Sequence, residues 1–473
     1  MNTIRTTPGT PRARRRRRIA LAAAGAVLAA TALAACGHGD SAGGGDGVIT
    51  YWLWDASQQP GYQKCADAFH AQNPQLTVKI TQYGWADYWS KLTAGFIAGT
   101  APDVFTNHVS KYPQFVDLKV LRPLDELGPT KDIDNDDYQP GLAQLWIGQD
   151  GHRYGTPKDW DTVAIFYNPA VLKAAGVNPA TLDTLTWNPT DGGTFEKLVA
   201  HLSVDTKGRR GDEAGFDKEH VKTYGLASDG SGGGGWGQTQ WSAFTGSNNW
   251  RATDKNPWGT HFNLDEKNFQ DAIGWYFGLV RKGFMPTYAA TGSGANGVDK
   301  QLGSGSAAMG IAGDWMISTY AAMTDADGKN LGIRIAPTPI GPSGHRASMF
   351  NGLADSITTL SRQPENAARW VAFLAGAQCQ DIIGDSGVVF PARPEGTARA
   401  IAYNKKVRHL DVTPFTNHVK DHTTFLFPVT SNGADITALM QPAMDAVYIG
   451  SAPVSSLTEL NNQLNQLFRI VER

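Results

Sequence analysis

Little in this chain suits covalent or metal chemistry. Its 3 cysteines never fall as C-x-x-C, its 11 histidines are scattered without metal-ligand spacing, and H-E-x-x-H is absent. G-x-x-x-x-G-K-[ST] does not occur, and G-x-S-x-G occurs only at Gly39–Gly43, in the glycine-rich stretch before the first expected strand, so a phosphate-cradling loop and a serine elbow have no support. Gly232–Gly237 fits G-x-G-x-x-G only because the run is nearly all glycine. No strand leads straight into it and no helix follows directly, so it is not read as a dinucleotide site. Charge is sparse too. Only 18% of residues are charged and the net is −2, so no overall field favours nucleic acid or anionic lipid. Beyond residue 36 no apolar run is long enough to span a membrane.

What is present begins with an address. Arg12 and Arg14–Arg18 form a basic stretch, Ile19–Ala35 an apolar, Ala-rich one, and Leu33-Ala34-Ala35-Cys36 closes it. Small residues just before a cysteine look like a bacterial lipobox, with Cys36 acylated as the first mature residue. Residues 1–35 are then a signal peptide and 36–47, glycine-rich, a flexible tether. A plain signal peptide or a short anchor is the alternative, and twin arginines leave the twin-arginine export route open. The chain is expected outside the cytoplasm, lipid-anchored to the outer face of the cytoplasmic membrane. Its 473 residues suit two or three structural units with an ample core. The 14 Trp are many for a soluble protein, and an indole serves equally as a stacking platform or as core.

The stretch Tyr154–Pro169 (YGTPKDWDTVAIFYNP) organises the rest. Thr162–Tyr167 is uncharged, β-branched and aromatic, and reads as a strand buried on both faces. Just before it stand Lys158, Asp159, Trp160 and Asp161, a polar cluster at the mouth of a buried strand. Such a cluster suits a ligand site at the end of a sheet, or else a solvated loop with a salt bridge. Upstream, Val48–Trp54, Leu76–Thr81 and Pro102–Phe105 read as strands, alternating with helices over Tyr62–Gln72 and Asp87–Ala98. This β-α-β-α-β order predicts a parallel sheet, with Trp54, Asp55, Asn107 and His108 beyond the strand ends where ligands bind. Within Ser228–Gly259, Trp236, Gln238, Trp241, Asn248, Asn249 and Trp250 interleave aromatics with amides. That mixture suits a sugar ring, the indole against its C–H face and amides on its hydroxyls; a glycine-rich loop pinned by core Trp is the alternative.

Several motifs together resemble the extracellular solute-binding proteins of family 1, the sugar-capturing lipoproteins of ATP-binding-cassette importers. They are DYWSKLTAGFIAGTAPDVF, QFVDLKVLRPLDEL, YGTPKDWDTVAIFYNPAVLKAAGV, GSAAMGIAGDWMISTY over Gly305–Tyr320, Asn351-Gly352-Leu353, and NAARWVAFLAGAQCQDIIGDSGVVFP over Asn366–Pro391. The resemblance covers nearly the whole mature chain in order. It implies an α/β fold like the periplasmic binding proteins, two α/β lobes joined by a multi-segment hinge with the ligand cleft between them. Residues 48–158 and 343–392 would form the first lobe, 159–342 and 393–473 the second. It implies sugar capture and delivery to membrane permease subunits, with no catalytic residue, cofactor, metal or nucleic acid. The protein would be a monomer that meets the membrane only through its N-terminal lipid.

By position in the family, the expected ligand set is Trp54, Asp55, Asn107, His108 and Asn351 from the first lobe, with Lys158, Asp159 and Asp161 at the crossing. From the second lobe come Trp236, Trp241 and Trp315 as stacking platforms and Asp314 and Arg393 as polar clamps. Two rivals remain. A glycoside hydrolase needs two of the carboxylates about 5–9 Å apart, and a tethered carbohydrate-binding module needs a rigid groove. Once Cys36 is lipidated, Cys65 and Cys379 are left as a pair in an oxidising compartment. The resemblance puts both in the first lobe, where a disulfide would staple early and late segments; two buried thiols are the alternative.

Overall fold

The structure, a computed structural model, describes residues 47–291 and 296–471. The signal peptide, Cys36 and the tether up to residue 46 lie outside the described residues. Among those described, no helix is long and apolar enough to cross a membrane.

The first strands are β1 (Val48–Leu53), β2 (Thr77–Gln82) and β3 (Val104–His108), all parallel. Helices Gln59–Gln72 and Trp85–Ala98 connect them. Pro60 in its first turn starts the first helix, and the Asn73 side chain ends it by donating to Phe69 O at 3.0 Å. Gly84 caps the second and Gly99 closes it at φ 72°, so Asp87 sits inside the first turn rather than at the cap. Six more strands complete the set in the middle of the chain: β4 (Thr156–Asp161), β5 (Val163–Tyr167), β6 (Val204–Asp205), β7 (Val221–Leu226), β8 (Ala307–Gly313) and β9 (Arg334–Ala336). β10 (Ser348–Ile357), β11 (Phe390–Pro391) and β12 (Thr424–Leu426) follow.

They form two sheets, ordered β11-β4-β10-β3-β1-β2, with β12 added beside β10, and β6-β7-β8-β5-β9. This is the two-lobed α/β fold that the resemblance implies. Every residue of β5 is buried, as its uncharged sequence predicts. The polar stretch before it is a strand too, and belongs to the first sheet through Asp161. The chain changes sheet at Thr162, whose hydroxyl donates to Phe415 O at 3.0 Å while Val163 N donates to Ser348 Oγ at 2.8 Å. The late helix Pro394–Val407 packs on Ala377–Gly384 and on β11, so the chain stays with the first sheet well past Arg393.

Cys65, on Gln59–Gln72, and Cys379, on Ala377–Gly384, form a disulfide with Cα atoms 5.2 Å apart. Both are fully buried, among Tyr51, Tyr62, Phe69 and Trp370 on the face of the first sheet that these helices cover.

Candidate functional site

β1, β3 and β4 run in one direction and β10 in the other, so three strand ends and one strand start share an edge. That edge carries Trp54, His108, Asp161 and Asn351. Asn351 pairs in register with Asp161, and its Nδ2 donates to Asp161 Oδ2 at 3.1 Å and lies 2.9 Å from His108 Nε2. From the loop after β7, Gln238 Nε2 donates to Asp161 Oδ1 at 2.6 Å. Each oxygen of Asp161 is thus held by an amide from a different part of the chain. Asp314 follows β8 directly, and its N–H donates to Thr162 O at 3.3 Å, which puts it beside Asp161 where the chain changes sheet.

The electrostatics are unusual for so many carboxylates. Asp314 is 1% exposed and no side chain among the described residues bonds its carboxylate, which has only the backbone N–H groups of Trp315 and of Asp314 itself beside it; Asp159 Oδ2 and Asn351 Oδ1 are buried without a partner. Burial pushes Asp159 up to about 7, against the pull of the Lys158 charge. Burial, and then the charge of Asp159, raises Asp161 well above the usual carboxylate range, although its two amide donors oppose this. Asp314 is raised by burial and by both neighbouring carboxylates. Burial, with Lys111 nearby, lowers His108 to about 3 and keeps its imidazole neutral.

Beside this cluster opens a cavity of about 320 Å³ whose walls include Trp315, Gln238, Tyr288, Gln441, Asp229 and Asp445. The Trp315 ring lies back over Gly313, where an added Cβ would fall 1.8 Å from it, so only glycine admits this pose. Tyr288 Oη donates to Asp445 Oδ2 at 3.2 Å and Gln441 Nε2 to Oδ1 at 2.8 Å, while Gln240 Nε2 donates to Asp229 at 2.5 Å. Acceptors, amides and an indole face, all held in place, can meet hydroxyls that both donate and accept.

The expected residues divide. Asp159, Asp161, Asp314, Trp315, Asn351 and His108 come together at the edge or against the cavity. Trp54 is half-buried in an aromatic nest with Trp85, Tyr88 and Trp89 at ring distances of 5.0–5.4 Å. The Asp55 carboxylate is occupied locally, accepting from Ser57 N, Ser57 Oγ and the Gln58 side chain. Asn107 is fully buried and turned inward, its Nδ2 donating to Ser356 Oγ at 3.0 Å.

Lys158 faces the interior of the first lobe. Its Nζ donates to Tyr51 Oη at 2.6 Å, lies 3.4 Å above the Tyr62 ring and pairs with Asp355 at 3.7 Å. Trp241 is a core residue, fully buried, with Nε1 donating to Ser231 O at 2.8 Å and Trp250 and Phe269 against its ring. Trp236 stacks on Phe262 at 5.4 Å and is 6% exposed, and it too packs as core. In both cases the helix Lys267–Arg281 and its neighbours supply aromatic partners that the loop sequence alone does not announce. Arg393 pairs with Asp137 at 2.9 Å and covers Tyr138, beyond the Lys158 end of β4 and away from Asp161.

The sequence reading passed over Asp229, Tyr288, Gln441 and Asp445 on the cavity wall, and Asp355 beneath the site. Gln441 and Asp445 share one face of helix Gly433–Ile449, a spacing that also suits an ordinary solvated face. Gln238 belongs to the aromatic–amide stretch but was not in the expected ligand set.

Residues 64–408 match the family described as bacterial extracellular solute-binding protein. Among curated relatives, the arabinooligosaccharide-binding protein of Bacillus subtilis (strain 168) is 26% identical over 160 residues, 33% of this chain and 36% of its own length. The match therefore spans about a third of that relative. Among solved structures, the substrate-binding protein Lmo0181 from Listeria monocytogenes, in complex with cycloalternan, superposes with TM-score 0.72 at 18% identity, covering 89% of this chain and 98% of that one. The GacH receptor of Streptomyces glaucescens, solved unliganded and with acarbose, gives TM-score 0.71 at 20% identity over 90% and 99%. At these identities the structural likeness is one of fold, whereas the family match runs through most of the chain and across the sheet edge just described: the protein is a member of the bacterial extracellular solute-binding protein family.

Proposed function

We propose that the protein captures a sugar or oligosaccharide outside the cytoplasm and hands it, unaltered, to the permease subunits of an ATP-binding-cassette importer. The observation that carries this reading is the Asp161 carboxylate, gripped by Asn351 from the first sheet and by Gln238 from the wall of the adjoining cavity. Hydroxyls that displace or join these amides bond both lobes at once, and contacts made only when the lobes are together shift the population toward the closed form. Asp159, Asp161, Asp314 and Asn351 supply the polar contacts in this account and Trp315 the stacking face. The arabinooligosaccharide named for one relative, and the cycloalternan and acarbose bound in two proteins of similar fold, support a carbohydrate ligand. Cys36 acylation, a monomeric state and two lobes, the first extended past Arg393 through helix Pro394–Val407, complete the proposal.

The test is a titration of intrinsic fluorescence with a panel of mono- and oligosaccharides, followed by analysis of the recovered ligand. Saturable binding with the sugar recovered intact is expected. Released reducing ends, abolished by Asp159→Asn or Asp161→Asn, would make the protein a glycoside hydrolase.

A further inference from the structure

The aromatic nest at the sheet edge has one uncovered member. Among the described Trp, Tyr and Phe side chains Trp85 alone is exposed, at 49%. It opens helix Trp85–Ala98 just past the end of β2, and β2 runs parallel to β1. Trp85 therefore stands at the same edge of the first sheet as Trp54, His108, Asp161 and Asn351. Trp54 and Trp89 meet its ring nearly edge-on at 5.0 and 5.4 Å, and the His108 ring lies 5.7 Å away. Three neighbours thus hold the indole, and the rest of its surface meets water.

An exposed indole held in place offers a large apolar area at little cost in ordering. Polarity stands beside it. The Lys111 ammonium lies 5.9 Å from the centre of the Trp89 ring and forms no ion pair among the described residues. A ring face with a hydrogen-bond donor at its side suits the mixed C–H and hydroxyl surface of a sugar. A hydrocarbon chain would leave the donor unused.

Position then sets length. β10 lies between β4 and β3, so Asp161 and His108 end strands two spacings apart, about 10 Å. Trp85 lies one further ring contact beyond His108. On the other side Trp315 stands past Asp161, joined to it through Thr162 and Asp314. A single sugar ring cannot touch both indoles, whereas a chain of rings laid along the sheet edge can.

We propose that the ligand is an oligosaccharide longer than a disaccharide, with an inner ring against Trp315 at the cavity and an outer ring stacked on Trp85. This rests on the carbohydrate reading above and selects within it by length. Trp54 and Trp89 hold the platform, and Trp85 makes the contact.

Isothermal titration compares glucose, maltose, maltotriose and maltotetraose, with the matching arabinose, xylose and cellulose-derived ladders beside them. Within a ladder that binds, the tetrasaccharide is expected to bind about tenfold or more tightly than the disaccharide. Trp85→Ala, checked for folding by thermal unfolding, should remove most of that gain and leave the disaccharide within about twofold of its original affinity. Trp85→Phe should keep much of the gain, because a ring face remains. Trp315→Ala, in contrast, should weaken every member of the ladder. A disaccharide that binds as tightly as its tetrasaccharide would overturn this inference and leave the carbohydrate reading standing. So would a Trp85→Ala variant that loses nothing, or loses equally at every length. No binding from any ladder would overturn both.

Discussion

Asn351 and Asp161 stand opposite each other in the register of β10 and β4, and the Asn351 amide nitrogen donates to Asp161 Oδ2 at 3.1 Å while lying 2.9 Å from His108 Nε2. Residues far apart in sequence thereby meet at one amide at the edge where the chain changes sheet.

Removing that donor should be costly. In Asn351→Leu, Asp161 Oδ2 loses its amide donor while remaining buried, a loss of about 1–3 kcal/mol of stability. A urea titration reads this as a lower midpoint at unchanged slope, and ligand affinity should fall with it. An unchanged midpoint would remove the amide from the account.

Tryptophans at the site and in the core should separate cleanly. Trp315→Ala is expected to cost roughly 1–3 kcal/mol of sugar binding and little stability, since the ring lies half-buried on the cavity wall. Trp241→Ala, by contrast, should cost about 3–5 kcal/mol of stability, because it empties a fully buried site. Gly313→Ala should mimic Trp315→Ala in the binding titration, as its methyl group displaces the indole. If Trp241→Ala weakened binding without lowering the unfolding midpoint, its assignment to the core would be wrong.

The empty protein should grow less stable as pH rises through the neutral range. Asp159, at about 7 in the fold against an ordinary 3.8, holds its proton more tightly folded than unfolded. Its contribution is complete below about pH 4 and is lost as pH climbs through 7; the raised Asp161 and Asp314 act in the same direction. His108, lowered to about 3, works oppositely, since stability falls as pH drops below its unfolded 6.5. Melting temperatures from pH 4 to 9 should show that Asp159→Asn flattens the alkaline side. A profile identical to wild type would contradict the buried, protonated Asp159.

Lys158 and Asp355 should behave as a buried pair. Lys158→Met strands the Asp355 carboxylate and is expected to cost about 3–5 kcal/mol, whereas adding Asp355→Leu should restore much of it. Additive losses measured in that double-mutant cycle would show that the two do not interact.

The alternating strands and helices of the first lobe were legible because their apolar spacing and stop signals, such as Asn73-Pro74 and Gly99, act locally. β5 was legible for its uncharged, β-branched run. β4 was not: Lys158, Asp159 and Asp161 contradict a buried strand until Tyr51, Asp355, Gln238 and Asn351 arrive from distant segments to hold them. The same limit explains Trp236 and Trp241. Interleaved aromatics and amides look alike whether they face a ligand or Phe262 and Phe269, and only the segments packed behind them decide. The family resemblance singles out Asp314 and Trp315 where periodicity could not; it also singles out Asn107, whose side chain is drawn inward by Ser356.

The disulfide has a topological consequence. Its partners are 314 positions apart, and every strand of the second sheet, β5 to β9, lies between them. The backbone of that sheet is thus an arc of a covalently closed ring. A protease that cuts the exposed excursion around Lys207 or Lys218 opens the ring without producing two molecules. The nicked chain migrates as separate fragments only after reduction, and until then the severed halves remain tied together beneath the first sheet's helices, where loss of one peptide bond need not become loss of the protein.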